Sequence, residues 1–153
     1  MLSTPHVAVG AALAVGVGNP IISVPLAFGS HYVLDMVPHW NPHLNTDLRK
    51  YGKVSNKNFL IVFVDTLIAL LLSLTVAFAY APNMYAVYAV LLTCFAAVLP
   101  DLVEAPHYFL KYKTKTITRY IKWQKSIQND VSPFLGTVVQ LVVIAVSLWI
   151  INI

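Results

Sequence analysis

The stretch SHYVLDMVPHWNPH, from Ser30 to His43, holds three histidines and an aspartate directly after an almost wholly apolar run. His31 and Asp35 are one helical turn apart, so a helix puts them on one face. Two side chains placed this way can ligate one ion, as helical His-x-x-x-His pairs do. His39 follows four residues later, behind Pro38. Proline disturbs or ends a helix, which leaves His39 at a terminus where it can turn toward the same ion. A second group lies in LPDLVEAPHY, with Asp101, Glu104 and His107. Pro100 and Pro106 immediately precede Asp101 and His107, and are expected to bend the chain and set where those ligands point. His6 and Asp65 complete the set. Mixed histidine and aspartate ligation suits zinc first, and also manganese or iron.

These groups stand in a chain of 153 residues that is 58% hydrophobic and 10% charged. A soluble domain carries about a quarter charged residues, so this chain lacks the charge to cover a water-facing surface. Its apolar content falls in long runs. Phe59 to Ala81 has Asp65 as its only charge, and Met84 to Leu99 and Phe134 to Ile151 have none. About 20 helical residues span the hydrocarbon core, and the apolar character is continuous rather than periodic, as in lipid-facing helices. Toward the N-terminus, Val7 to Val17 is rich in Gly and Ala, Gly18 to Pro20 reads as a turn, and Ile21 to Val37 is apolar again. The pattern predicts a helical hairpin or a broken helix over residues 5–38, with small residues allowing close helix packing. No basic residue precedes the first apolar run, so a cleavable signal peptide is not expected. Cys94 is single and reads as a small buried apolar side chain.

The expected fold class is therefore all-α. It is an integral membrane helical bundle with three long transmembrane helices (59–81, 84–105 and 133–152), the N-terminal hairpin and a basic interfacial helix, all in one domain. Residues 39–58 and 106–132 would form basic loops. Arg49, Lys50, Lys53 and Lys57 lie in the first, and Lys111, Lys113, Lys115, Arg119, Lys122 and Lys125 in the second. The connection around Pro82 and Asn83 has no basic residue. Two crossings separate the basic loops, so both share one side, which the positive-inside rule makes cytoplasmic. The implied location is the inner cell membrane. The net charge of +4 then follows from topology and attraction to anionic headgroups, and no nucleic-acid partner is needed. Tyr108 to Ile127 mixes cations with aromatic and aliphatic residues and reads as an amphipathic helix in the interface.

On this topology His6, His31, Asp35, His39, Asp101, Glu104 and His107 converge on one membrane face. Asp65 lies about two turns into its span. An Asp at a helix centre costs about 2.5 to 3.5 kcal/mol on insertion scales, which a bound divalent cation offsets. The metal candidates are thus His6, His31, Asp35, His39, Asp101 and His107, with Glu104 or Asp65 as general base. The plainer readings stand beside these. His6, His43 and His107 can be interfacial residues, Asp65 can hydrogen-bond across helices, and Glu104 can cap a helix or face solvent.

The segments TPHVAVGAAL, GSHYVLDMVPH and LPDLVEAPH together resemble the YdjM-like family of small inner-membrane proteins, described as predicted membrane-bound metal-dependent hydrolases. His6, Asp101 and His107 are the positions that match. The usual PDxDH ending appears here as Asp101-Leu-Val-Glu104. HYVLDMVPH is also similar to an element of zinc-dependent phospholipase C and the related S1/P1 nucleases, in which the His and Asp are zinc ligands of an all-helical fold. His31 and Asp35 match it, while His39 stands one residue early. The resemblance implies a metal-dependent hydrolase acting on a phosphoester in a lipid or other amphiphile, with membrane lipids as its surroundings. Two other readings remain: a small metal- or proton-linked transporter with a structural polar cluster, and an assembly subunit whose basic segment Lys122 to Pro133 recruits a partner.

Overall fold

The computed structural model describes residues 1–152. Among them are seven helices, and the only β pairing is one isolated bridge. Helices α1 (Ser3–Val17) and α2 (Pro20–Met36) form the hairpin. Three helices are long and apolar enough to cross a membrane: α4 (Asn56–Ala79), α5 (Met84–Phe109) and α7 (Pro133–Ile151). Two shorter ones, α3 (Leu44–Tyr51) and α6 (Lys115–Ile127), lie within the basic connections.

Local chemistry sets most helix ends. Gly18 closes α1 in the left-handed conformation (φ 69°) that favours glycine, and the Asn19 side chain accepts from the backbone N–H of Ile21 to start α2. Ser55, Asn83, Thr114 and Ser132 cap α4, α5, α6 and α7 in the same way. Helix α2 stops at Met36 because Val37 is extended (ψ 140°), the conformation favoured before proline.

Helix α1 is the centre of the bundle, packed against α5, α2, α7 and α4. Its small residues permit this. A Cβ on Gly10 would lie 3.0 Å from the Cβ of Ala97 and 3.2 Å from the Cα of Cys94. Ala8, Ala11, Ala12 and Ala14 are buried beside it. At 15 residues, α1 reaches only about 22 Å. It enters and α2 returns, so the start of one and the end of the other lie together. A hydrogen bond of 2.9 Å between the hydroxyls of Ser23 and Thr93 fastens α2 to α5. Helices α4 and α7 turn large apolar side chains outward, among them Phe63, Leu71, Leu141 and Trp149.

Two boundaries differ from the sequence expectation. Helix α5 runs past 105, through both Pro100 and Pro106, to Phe109. Pro100 is fully buried, so packing outweighs the hydrogen bond and clearance that a proline removes. The interfacial helix accordingly begins at Lys115 rather than near Tyr108, with Thr114 as its cap. It is amphipathic as expected, burying Ile121 and Gln124 and packing Trp123 against Tyr32 with the rings tilted and their centroids 5.2 Å apart.

The segment after α2 is clamped to the segment before α7. The His39 N–H donates to the Asn129 carbonyl and the Val131 N–H to the His39 carbonyl, both at 3.0 Å. Helix α7 touches this clamp at Gly136, where an added Cβ would lie 2.3 Å from the Trp40 nitrogen. Gly136→Ala is therefore expected to destabilise the protein by about 1–3 kcal/mol. A thermal melt in detergent should show a lowered Tm, while Gly16→Ala, whose Cβ meets nothing within 4 Å, should not lower it.

Candidate metal centre

The start of α1, the end of α2, the last third of α5 and the buried face of α6 meet at one point. His6, His31, Asp35 and His39 have no exposed surface there. The rings of His6 and His31 stack with centroids 4.0 Å apart. One ligand atom from each of His6, His31 and Asp101 lies within 4.8 Å of the other two. Asp35 joins them: its Oδ1 is 3.5 Å from His6 Nε2 and its Oδ2 is 3.5 Å from His31 Nε2. His31 Nε2 is also 3.6 Å from Asp101 Oδ1. His39 stands at the edge, with its Nε2 3.9 Å from Asp35 Oδ1.

The hydrogen bonds assign the ring protons. His31 Nδ1 is 2.8 Å from the Ala97 carbonyl, which can only accept, so Nδ1 carries the hydrogen and Nε2 presents a lone pair to the cluster. Metal-binding histidines are commonly oriented in this way. His39 follows the same pattern, its Nδ1 donating to the Val37 carbonyl at 2.8 Å. Burial lowers the His39 imidazole below its ordinary pKa, which keeps it neutral and its Nε2 a base. The Asn41 amide donates to that nitrogen at 3.1 Å. Among the described residues, neither ring nitrogen of His6 has a hydrogen-bond partner. Its Nε2 has only the long 3.5 Å approach to Asp35 Oδ1; a buried imidazole so poorly paired is costly, and a metal ion is one partner that would satisfy it. The donor set of imidazoles and carboxylates fits a divalent cation.

Asp35 is the most heavily contacted of these groups. The amino group of Met1 pairs with Oδ1, and the amides of Gln124 and Gln128 donate to Oδ2 at 3.3 and 3.2 Å. Gln124 is 1% exposed and also reaches His31 Nε2 at 3.1 Å and Asp101 Oδ1 at 3.3 Å. Gln124 is not among the candidates that residue type and spacing mark in the sequence. Its signal was a polar residue on the apolar face of α6, three positions after Ile121.

A cavity of about 960 Å³ opens beside the cluster. Asp101, Glu104 and His107 line it from α5, and Arg49, Lys113, Lys122 and Lys125 add cationic side chains. Glu104 lies one turn from Asp101 on the same face of α5, and its Oε1 is buried without a hydrogen-bond partner. His107 lines the cavity but is not in the group whose ligand atoms lie within 4.8 Å. His43 is an exposed loop residue 3.9 Å from Asp130.

Asp65 is engaged elsewhere. Its Oδ2 accepts from the Ser3 N–H at 2.6 Å, and its Oδ1 from the Thr4 N–H at 3.2 Å and the Thr4 hydroxyl at 2.6 Å. Leu2 offers α1 no side-chain cap, so a carboxylate from α4 closes the helix instead. The Leu2 N–H finds the Gln140 side-chain oxygen of α7 at 2.9 Å. Of the two expected roles for Asp65, this geometry is the one that hydrogen-bonds across helices. Asp65→Ala should cost about 2 kcal/mol, at the upper end for a lost cap. Denaturation in detergent measures that loss, and metal content per folded protein should be unchanged.

No family model, no curated protein and no solved structure matches this chain.

Proposed function

We propose that this protein is a membrane-bound hydrolase that uses a divalent metal ion held by His6, His31, Asp35 and Asp101, with His39 beside them, to cleave a phosphoester in an amphiphile. The observation that carries the reading is the convergence of these groups from three separate stretches of sequence into one buried cluster bordering a cavity. The similarity of HYVLDMVPH to the zinc-dependent phospholipase C element, and of the three quoted segments to the YdjM-like family, points the same way.

A divalent ion supplies Lewis acidity, polarising a phosphoryl oxygen and acidifying a water. The chain's own groups supply the rest. Glu104, with a free oxygen at the cavity, takes the proton of the attacking water. Arg49, Lys113 and Lys122 hold an anionic headgroup at the rim. Val62, Leu102 and Ala105 give the cavity an apolar wall for the first part of an acyl or prenyl chain. The positive-inside rule sets both basic connections, and so this site, at the cytoplasmic face of the inner membrane. A transport role is less well supported. Ser73 and Gln140, which would line a path to the far side, bond to carbonyls of their own helices at 2.8 and 3.2 Å.

The protein purified in mild detergent without chelator is expected to retain a divalent metal, read by mass spectrometry, and His31→Ala and Asp35→Ala should lose it. Glu104→Gln should keep the metal and lower turnover of a phosphoester lipid by about a hundredfold or more. A folded parent that takes up no metal would sink the hydrolase reading. For orientation, a membrane-impermeant thiol reagent should label a cysteine placed at Asn83 in intact cells. Cysteines at Lys53 or Lys113 should react only after permeabilisation. The reverse pattern would put the site on the outer face.

A further inference from the structure

The amide of Gln124 is held at the centre of the cluster, yet it belongs to none of the three segments that carry the histidines and aspartates. Its terminal nitrogen lies 3.1 Å from His31 Nε2, 3.3 Å from Asp35 Oδ2 and 3.3 Å from Asp101 Oδ1. Atoms that share a metal with bonds of about 2.1 Å stand about 3.0 Å apart in an octahedral shell and about 3.4 Å in a tetrahedral one. The tip of Gln124 is therefore spaced from its neighbours as one ligand is from another. The same holds for His31 Nε2 against Asp35 and Asp101, at 3.5 and 3.6 Å.

The other end of the amide supports this. Gln124 Oε1 is buried and has no hydrogen-bond partner among the described residues. A half-turn of the terminal amide exchanges oxygen and nitrogen without changing the side chain's shape. It would bring an acceptor to the position from which the nitrogen now contacts His31, Asp35 and Asp101. An uncharged carbonyl oxygen is a hard ligand. Added to two carboxylates, it suits a metal such as manganese better than zinc, which prefers fewer and softer donors.

We infer that Gln124 is a metal ligand, delivered by α6 to the ion held by His6, His31, Asp35 and Asp101, and that its amide oxygen tilts the site toward manganese(II) over zinc(II). The inference rests on the metal reading above. Helix α6 then becomes part of the centre, although it packs less extensively on the bundle than α1 and α2 do.

The test measures manganese(II) and zinc(II) binding separately, by equilibrium dialysis of the full chain in detergent. Gln124→Ala should weaken manganese(II) by about tenfold or more and zinc(II) by less than about threefold. Gln124→Glu keeps an oxygen at the same reach and should restore manganese(II) affinity. Gln124→Met, similar in length but with no oxygen, takes the place of alanine if that variant does not fold. Unchanged manganese(II) affinity in the alanine or methionine variant would overturn the inference. So would equal weakening of both metals without rescue by glutamate, which would make Gln124 a packing residue. A parent that binds neither metal would overturn the metal reading itself, a result distinct from either of these.

Discussion

Asp35 is a carboxylate with no exposed surface inside an apolar helical bundle, and a buried charge must be paired or neutralised. Much of this structure follows from that demand. The N-terminal amine, His6, His31, His39, Gln124 and Gln128 all approach this one side chain. They come from the residues before α1, from α1, α2 and α6, and from the connections after α2 and α6. The carboxylate is thus a shared partner for groups far apart in sequence. Replacing it by a neutral residue would leave several buried donors without an acceptor, so the cluster behaves as a unit rather than as independent pairs.

The central helix answers a second constraint. Membrane helices gain little from burying apolar surface against one another, because lipid is equally apolar, so close backbone approach matters more. Gly10 and the alanines of α1 allow it. A helix this short and this enclosed cannot satisfy its first N–H groups from water, and Asp65 and Gln140 supply oxygens from two different spans. Those polar contacts tie the start of α1 to α4 and α7.

The polar chemistry is confined to one end of the bundle. The cavity, its cationic rim and the buried ligands lie where α1 begins and α2 ends, and the hydroxyls toward the other end are bonded to their own helices or between helices. Water excluded from such a cluster strengthens every electrostatic interaction within it.

Hydropathy and spacing were enough to determine the helical class, the three long spans, the hairpin and the pairing of His31 with Asp35. These depend on local composition and on the helical period, both written along the chain. The caps at Ser55, Asn83 and Ser132 and the stop before Pro38 are local in the same sense. Which distant groups meet was decided only by tertiary packing. Asp65 reads from the sequence as a base or a residue that hydrogen-bonds across helices, and the start of α1 rests on it from 61 and 62 residues away. Helix α5 continues through both Pro100 and Pro106, and Pro100 is fully buried where it does so. Gln124 is one polar residue in a basic helix, and only the folding of α6 onto the bundle puts its amide beside His31, Asp35 and Asp101. A ligand set of this kind is a property of contacts between segments, and no period within a segment encodes it.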